Sequence, residues 1–206
     1  LFTLTSWGRQ LLGILRGNQY CGKLTIRWRF CAYHYQHDLA NWKRFVSMGG
    51  GAIRFFGIHV IALLARIGYQ DVVVSQAFGA VADEVELWAS TFTGLGLPEC
   101  EVVIDTKSLD MMFDVVCSKG EDCLLDVAVH SSGPFDSDNP LEVEMLSGLD
   151  PRTSILKDLF RTLCDGHGAD LEWYQRTLDL WRSVEDKSHF ELLDANTLRP
   201  VFTPGT

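Results

Sequence analysis

An α+β domain, with a predominantly antiparallel, open-faced sheet and helices packed on one face, is the fold class this sequence predicts. Three features predict it. Helix-period and strand-period stretches alternate only once, over residues 5–67. Five strand-like segments then follow between 71 and 130, parted only by short clusters of Gly, Pro, Asp and Ser. Gaps of turn length suit an antiparallel meander and are too short for βαβ crossovers. Two more helical stretches close the chain, enough to cover one sheet face and leave the other solvated or buried by a second copy.

Taken in order, residues 5–16 form a helix capped by Thr5 or Ser6, with Trp7, Leu11, Ile14 and Leu15 on its apolar stripe. Residues 24–30 alternate strictly: Leu24, Ile26, Trp28 and Phe30 face one way, Thr25, Arg27 and Arg29 the other, giving a strand with an apolar and a basic face. The polar, aromatic stretch 31–44 has no sustained period and is a structured loop. Gly49-Gly50-Gly51 opens a helix that runs to Ile67 and ends at Gly68, its core stripe being Ile53, Phe56, Val60, Leu63, Leu64 and Ile67. The strands follow at 71–78, 85–93, 100–106, 111–118 and 123–130. Residues 133–140 form a surface loop, and Asp150-Pro151 starts a helix with Ile155, Leu156, Leu159, Phe160 and Leu163 on one side. A last helix, 170–186, turns Leu171, Tyr174, Leu178 and Trp181 inward and precedes a loosely held tail.

The 206 residues are 47% hydrophobic with only six Pro, which excludes disordered and low-complexity classes. Charge is divided along the chain: residues 1–66 sum to +8 and the remainder to −17. The net charge of −9 argues against a nucleic-acid binder, while the basic third can face a carboxylate, a phosphate or a partner. The six Cys have neither CxxC pairing nor zinc spacing and read as buried or free thiols of a reducing, cytoplasmic compartment. The longest apolar run, 55–65, is too short to span a bilayer. A first residue of Leu1 is what a piece of a longer polypeptide would show.

The chemistry concentrates in Trp42-Lys43-Arg44, Gly49 to Ile53 and Gly57-Ile58-His59. A glycine-rich helix start lets a ligand or another backbone approach its N–H groups and favours negative charge. His59 lies four residues past Phe55, on the same helix face, and is either a core histidine or a proton carrier at a cleft.

The segment GGGAI-x3-GIH, preceded by a strand ending WRF and a loop ending NWKR, resembles the C-terminal half of the Gfo/Idh/MocA oxidoreductases. The resemblance is sharpest over 24–68 and architectural beyond. It implies residues 1–21 as the connecting helix after an absent cofactor domain, and 22–206 as a substrate-binding and oligomerisation domain. It implies NAD or NADP as cofactor, held through that absent N-terminal domain. The substrate would be a sugar, nucleotide-sugar or polyol, and the subunits would pair as a homodimer or homotetramer through the open sheet face, with Trp88 and Phe92 on that face or under the helices. His59 falls on the family's catalytic or substrate-orienting histidine. Phe55 and Ala62 fall where many members carry aspartates, so the usual His–Asp pairing is gone. Candidate substrate contacts are His34, Lys43, Arg44, Gly50, Gly51 and Arg54, with His37 a further replacement partner.

No dinucleotide fingerprint follows a strand here; Gly94-Leu95-Gly96 reads as a hairpin turn. His34-x2-His37-Asp38 lacks a third metal ligand, Asp136-x-Asp138 lacks the rest of a calcium loop, and His130-Ser131-Ser132 lacks a nucleophile elbow. Arg27 and Arg29 are either anion contacts or a wet face. The expectation is thus the substrate half of an NAD(P)-dependent oxidoreductase, inactive by itself, without nucleic-acid or membrane partners. The rivals are a non-catalytic binding or assembly module that keeps the fold, and an anion-binding domain built on Arg27, Arg29 and Arg54.

Overall fold

The computed structural model describes residues 2–17, 21–130 and 170–193, together with Phe160 and Cys164. The expected loop at 133–140, the helix after Pro151, Ser131, Ser132, Asp136 and Asp138 lie outside the described residues.

Helix α1, Ser6–Arg16, is capped by the Thr5 side chain, which accepts from the Gly8 N–H. Strand β1, Lys23–Cys31, buries Leu24, Ile26, Trp28 and Phe30, as its alternation requires. The loop after it contains a single helical turn, α2, Tyr33–Gln36. The glycine-rich start leads into a π-helical turn, Ala52–Gly57, before α3, Ile58–Ile67, takes regular α-helical form. Wide turns of this kind recur at functional sites. Val60, Leu63, Leu64 and Ile67 are buried, and Phe56 is half-buried.

The strands are β2, Asp71–Gly79, β3, Leu87–Thr93, β4, Glu99–Asp105, β5, Lys107–Lys119, and β6, Asp122–His130. They do not form a simple meander. With a last strand β7, Ser188–Leu192, the order is β6-β5-β1-β4-β3-β2-β7, with β1 inserted between β4 and β5, antiparallel to β5 and parallel to β4. The reason lies in the sequence of β1: its apolar face lies level with Cys100, Val102 and Ile104 on one side and Phe113, Val115 and Cys117 on the other. A strand this apolar gains most at the centre of the sheet.

Helix α4, Leu171–Lys187, turns differently from the stripe expected of it. Leu171 and Tyr174 are 73% and 62% exposed, while Leu180 and Val184 are buried and Trp173 is half-buried. Trp173 sets this rotation, its indole N–H donating to the Ala62 carbonyl at 2.9 Å with the Arg66 guanidinium over its ring. The chain then forms β7, a strand the sequence did not predict, which pairs parallel to β2; the tail with Pro200 and Pro204 lies outside the described residues.

Trp88 and Phe92 lie under the helices: both are fully buried, and Trp88 donates to Ser75 at 2.9 Å. The open face instead carries charges in pairs, Lys23 with Glu101 at 2.9 Å, Arg27 with Asp114 at 3.6 Å and Arg29 with Asp110 at 3.8 Å. The six cysteines are free thiols, with Cys21, Cys100 and Cys117 buried. No described helix is long and apolar enough to cross a membrane.

Candidate functional site

The glycine turn is closed by backbone. Gly49 and Gly51 adopt φ of +87° and +84°, which side-chain-bearing residues rarely reach. The N–H groups of Gly50, Gly51 and Ala52 donate to the carbonyls of Phe45, Lys43 and Val85 at 2.8, 2.8 and 2.7 Å. A Cβ on Gly50 would come within 2.3 Å of the Trp42 carbonyl oxygen. Of the two approaches that three glycines permit, the structure therefore uses the approach of another backbone. Gly50 and Gly51 position the Trp42–Phe45 loop and do not offer those N–H groups to an anion.

Three other nominated cations and histidines are also committed. Arg44 pairs with Glu84 at 3.0 Å and Asp38 at 3.1 Å, and lies 5.0 Å from the Tyr35 ring centroid. Arg54 donates to Glu185 at 2.8 Å and to the Val46 carbonyl at 2.9 Å, tying the helix start to α4. It lines a half-open cavity of about 180 Å³ with Val46, Ile53, Ala77, Val85 and Phe190. His34 is buried against Tyr35, and its pKa is pulled down to about 4 by burial, then by the Arg44 and Lys43 charges. It is a neutral wall residue at ordinary pH. His37 is exposed and stacked 4.2 Å from Tyr33. Among the described residues no group of three His, Cys, Asp or Glu side chains converges as a metal site.

A smaller set is left uncommitted. Lys43 lays its ammonium 5.0 Å from the Phe55 ring centroid, and no carboxylate of a described residue lies within ion-pair distance of it. Trp42 meets Phe55 edge-on at 5.2 Å and is 46% exposed. His59 is half-buried with Phe2 at 5.8 Å, and its ring makes no hydrogen bond to a described residue. Burial lowers its pKa, which keeps the imidazole neutral and able to accept a proton. Phe55 reaches Phe2 through Phe56 and Trp28, in edge contacts of 4.7, 5.5 and 5.7 Å. One chain of ring contacts thus links Lys43 to His59: Trp42 and Phe55 form an aromatic wall at its accessible end, and Trp28 and Phe2 lie buried in the core. Phe55, which cannot take a proton, stands at the Lys43 end.

Sequence reasoning named Lys43 and His59 but gave no role to Trp42 or Phe2, which flank them, nor to Glu84 and Glu185, which consume Arg44 and Arg54. A tryptophan directly before a lysine in a polar loop was the available signal for Trp42. Pairing across 40 and 131 residues has no local signal.

No family model and no curated protein matches the sequence. Solved structures do match the fold. A myo-inositol dehydrogenase from Corynebacterium glutamicum superposes with a TM-score of 0.62 at 12% identity, over 90% of this chain and 60% of that one. The WlbA dehydrogenase from Bordetella pertussis, in complex with NADH and UDP-GlcNAcA, gives 0.59 at 12%, over 89% and 59%. A D-galactose-1-dehydrogenase from Rhizobium etli gives 0.62 at 9%, over 95% and 60%. At such identities the likeness is one of fold: the chain has the architecture of about three fifths of each of these dehydrogenases.

Proposed function

We propose that the chain is the substrate-binding part of an NAD(P)-dependent oxidoreductase of the Gfo/Idh/MocA type, acting on a sugar, nucleotide-sugar or polyol in the cytoplasm and assembling through its open sheet face. The observation that carries this reading is His59. It is a neutral, half-buried imidazole without a described hydrogen-bond partner, linked through Phe2, Trp28, Phe56 and Phe55 to an exposed tryptophan and a lysine that pairs with no described carboxylate, in a fold shared with three dehydrogenases.

The described residues do not fit a dinucleotide. Gly94-Leu95-Gly96 closes the turn between β3 and β4 by a bond from the Leu97 N–H to the Gly94 carbonyl, and no helix follows it. In this proposal a nicotinamide would be held outside these residues, where it would supply the hydride acceptor. His59 takes the hydroxyl proton as the carbinol is oxidised, in keeping with its lowered pKa. Lys43 and Trp42 orient the ring, which is worth as much as the proton transfer when the reacting atoms must align.

The test is NAD(P) reduction by the complete polypeptide with a panel of sugars and polyols. His59→Ala is expected to lower kcat/KM by roughly 100- to 10,000-fold without changing the fold. An unchanged rate would leave His59 a packing residue. Phe55 favours a second reading, a binding or assembly module that keeps the fold without the chemistry. Absence of any nicotinamide binding by the complete polypeptide would favour that module.

A further inference from the structure

The aromatic wall that ends in Lys43 bears on the charge of the ligand as well as on its ring, an inference that rests on the substrate lying against this wall as the proposed function has it. We propose that Lys43 is a charge-reading residue: the ring bound here carries a carboxylate or phosphate, which pairs with the Lys43 ammonium while an apolar ring face lies on Trp42.

Lys43 is built into place. Its backbone N–H donates to the Asn41 side-chain oxygen at 2.9 Å and its carbonyl accepts from Gly51 at 2.8 Å, so the loop cannot carry it away. Its half-buried stem extends over Phe55, with the ammonium 5.0 Å from the ring centroid. The nearby acids are taken: Asp38 and Glu84 both bind Arg44, and Asp83 binds the backbone and hydroxyl of Ser47. A carboxylate at position 55 would lie beneath the ammonium and neutralise it; a phenyl ring there leaves the charge for a ligand. A cation–π contact substitutes only weakly for a counter-ion. Beside Phe55, with the neutral His34 nearby, the charge is less screened than it would be in open water. Trp42 supplies the complementary surface, a partly exposed indole on which the C–H face of a pyranose packs by dispersion. A neutral polyol can use the indole and hydrogen-bond the ammonium, but it forgoes the charge-assisted contact.

The test is a ligand-observed NMR titration of the complete polypeptide with D-glucuronate, D-glucose 6-phosphate and D-glucose in parallel. At least one anionic sugar is expected to bind about tenfold or more tightly than glucose, the stronger arm telling carboxylate from phosphate. That advantage should shrink with added salt, vanish in Lys43→Gln and in Lys43→Met (which keeps the stem over Phe55), and survive in Lys43→Arg. Equal affinity for all three sugars, no binding of any, or an advantage untouched in Lys43→Met overturns the proposal. Charge-selective binding with no NAD(P) reduction from the bound sugar upholds the anion contact and removes the oxidoreductase reading instead.

Discussion

The two flanks of the glycine turn carry the same kinds of residue and are used in opposite ways. On one flank Arg54 is locked to Glu185 and Val46, and the turn's own N–H groups are spent on carbonyls. On the other, Lys43 keeps its ammonium over the Phe55 ring and clear of described carboxylates, and the His59 ring, packed on Phe2, has no described hydrogen-bond partner. A cation beside a glycine-rich helix start is therefore not evidently a ligand contact. What separates the flanks is α4, which brings Glu185 to Arg54, whereas the described acids near Lys43 are bound to Arg44 and Ser47 and none pairs with it. A charge that satisfies itself within the chain supports stability; one that does not is available to a ligand.

The committed flank should be the more fragile. Gly50→Ala forces a Cβ onto the Trp42 carbonyl at 2.3 Å, where only backbone can yield, and should cost roughly 3 kcal/mol of stability. Urea denaturation of the variant checks it. A midpoint equal to that of the parent would mean that the turn is slack, and the contrast between flanks would lose its basis.

Much of this is legible in the sequence where the signal is local. The alternation of 24–30 predicts β1, its buried face and its basic face, because a strand's period is enforced by its own backbone. The stripe from Val60 to Ile67 predicts α3 for the same reason. Legibility ends where neighbours decide. Nothing near β4 or β5 announces that β1 enters between them, since that choice depends on matching apolar faces 75 residues or more apart in the chain. Spacing alone turns Leu171 and Tyr174 inward, yet the indole of Trp173 fixes α4 against Ala62 and turns both out to solvent. The site divides likewise: residue type nominates Lys43 and Arg54 equally, and only the distant Glu185 tells them apart.

Behind the open flank, His34 gives the comparison a pH dependence. Its pKa is about 4 in the folded chain against 6.5 as a free side chain, so between those values the unfolded chain binds a proton that the native one refuses. Stability accordingly rises with pH across that window and is lost as pH falls from about 6.5 towards 4, by roughly 3 kcal/mol in all. His59, also lowered by burial, adds to the same slope. In His34→Gln most of the slope should disappear when unfolding free energies are measured at successive pH values. A slope unchanged by the substitution would place the proton uptake elsewhere.

Arg54→Gln sharpens the contrast more gently. It removes the link to Glu185, a pair about one-third exposed at each end, and should cost about 1 kcal/mol while leaving sugar affinity unchanged. A loss of sugar binding would return Arg54 to the ligand and erase the distinction between the two flanks.

The smallest effect is expected on the open sheet face, where Arg29 faces Asp110 at 3.8 Å and the carboxylate is mostly exposed. Arg29→Gln should change stability by less than about 0.5 kcal/mol, because a wet pair of this kind repays little of the entropy of holding it. The same position also tests the proposed assembly. Lys23, Arg27 and Arg29 each sit beside an acid, so a second copy laid on this face would meet a surface already balanced in charge. Reversing one member, Arg29→Glu, unbalances it twice in a symmetric pair. Sedimentation equilibrium should then show a dimer that dissociates at higher protein concentration than the parent, with the melting temperature of the dissociated chain nearly unchanged. Equal dissociation constants would mean that this face stays in water and that the copies, if they pair, do so elsewhere.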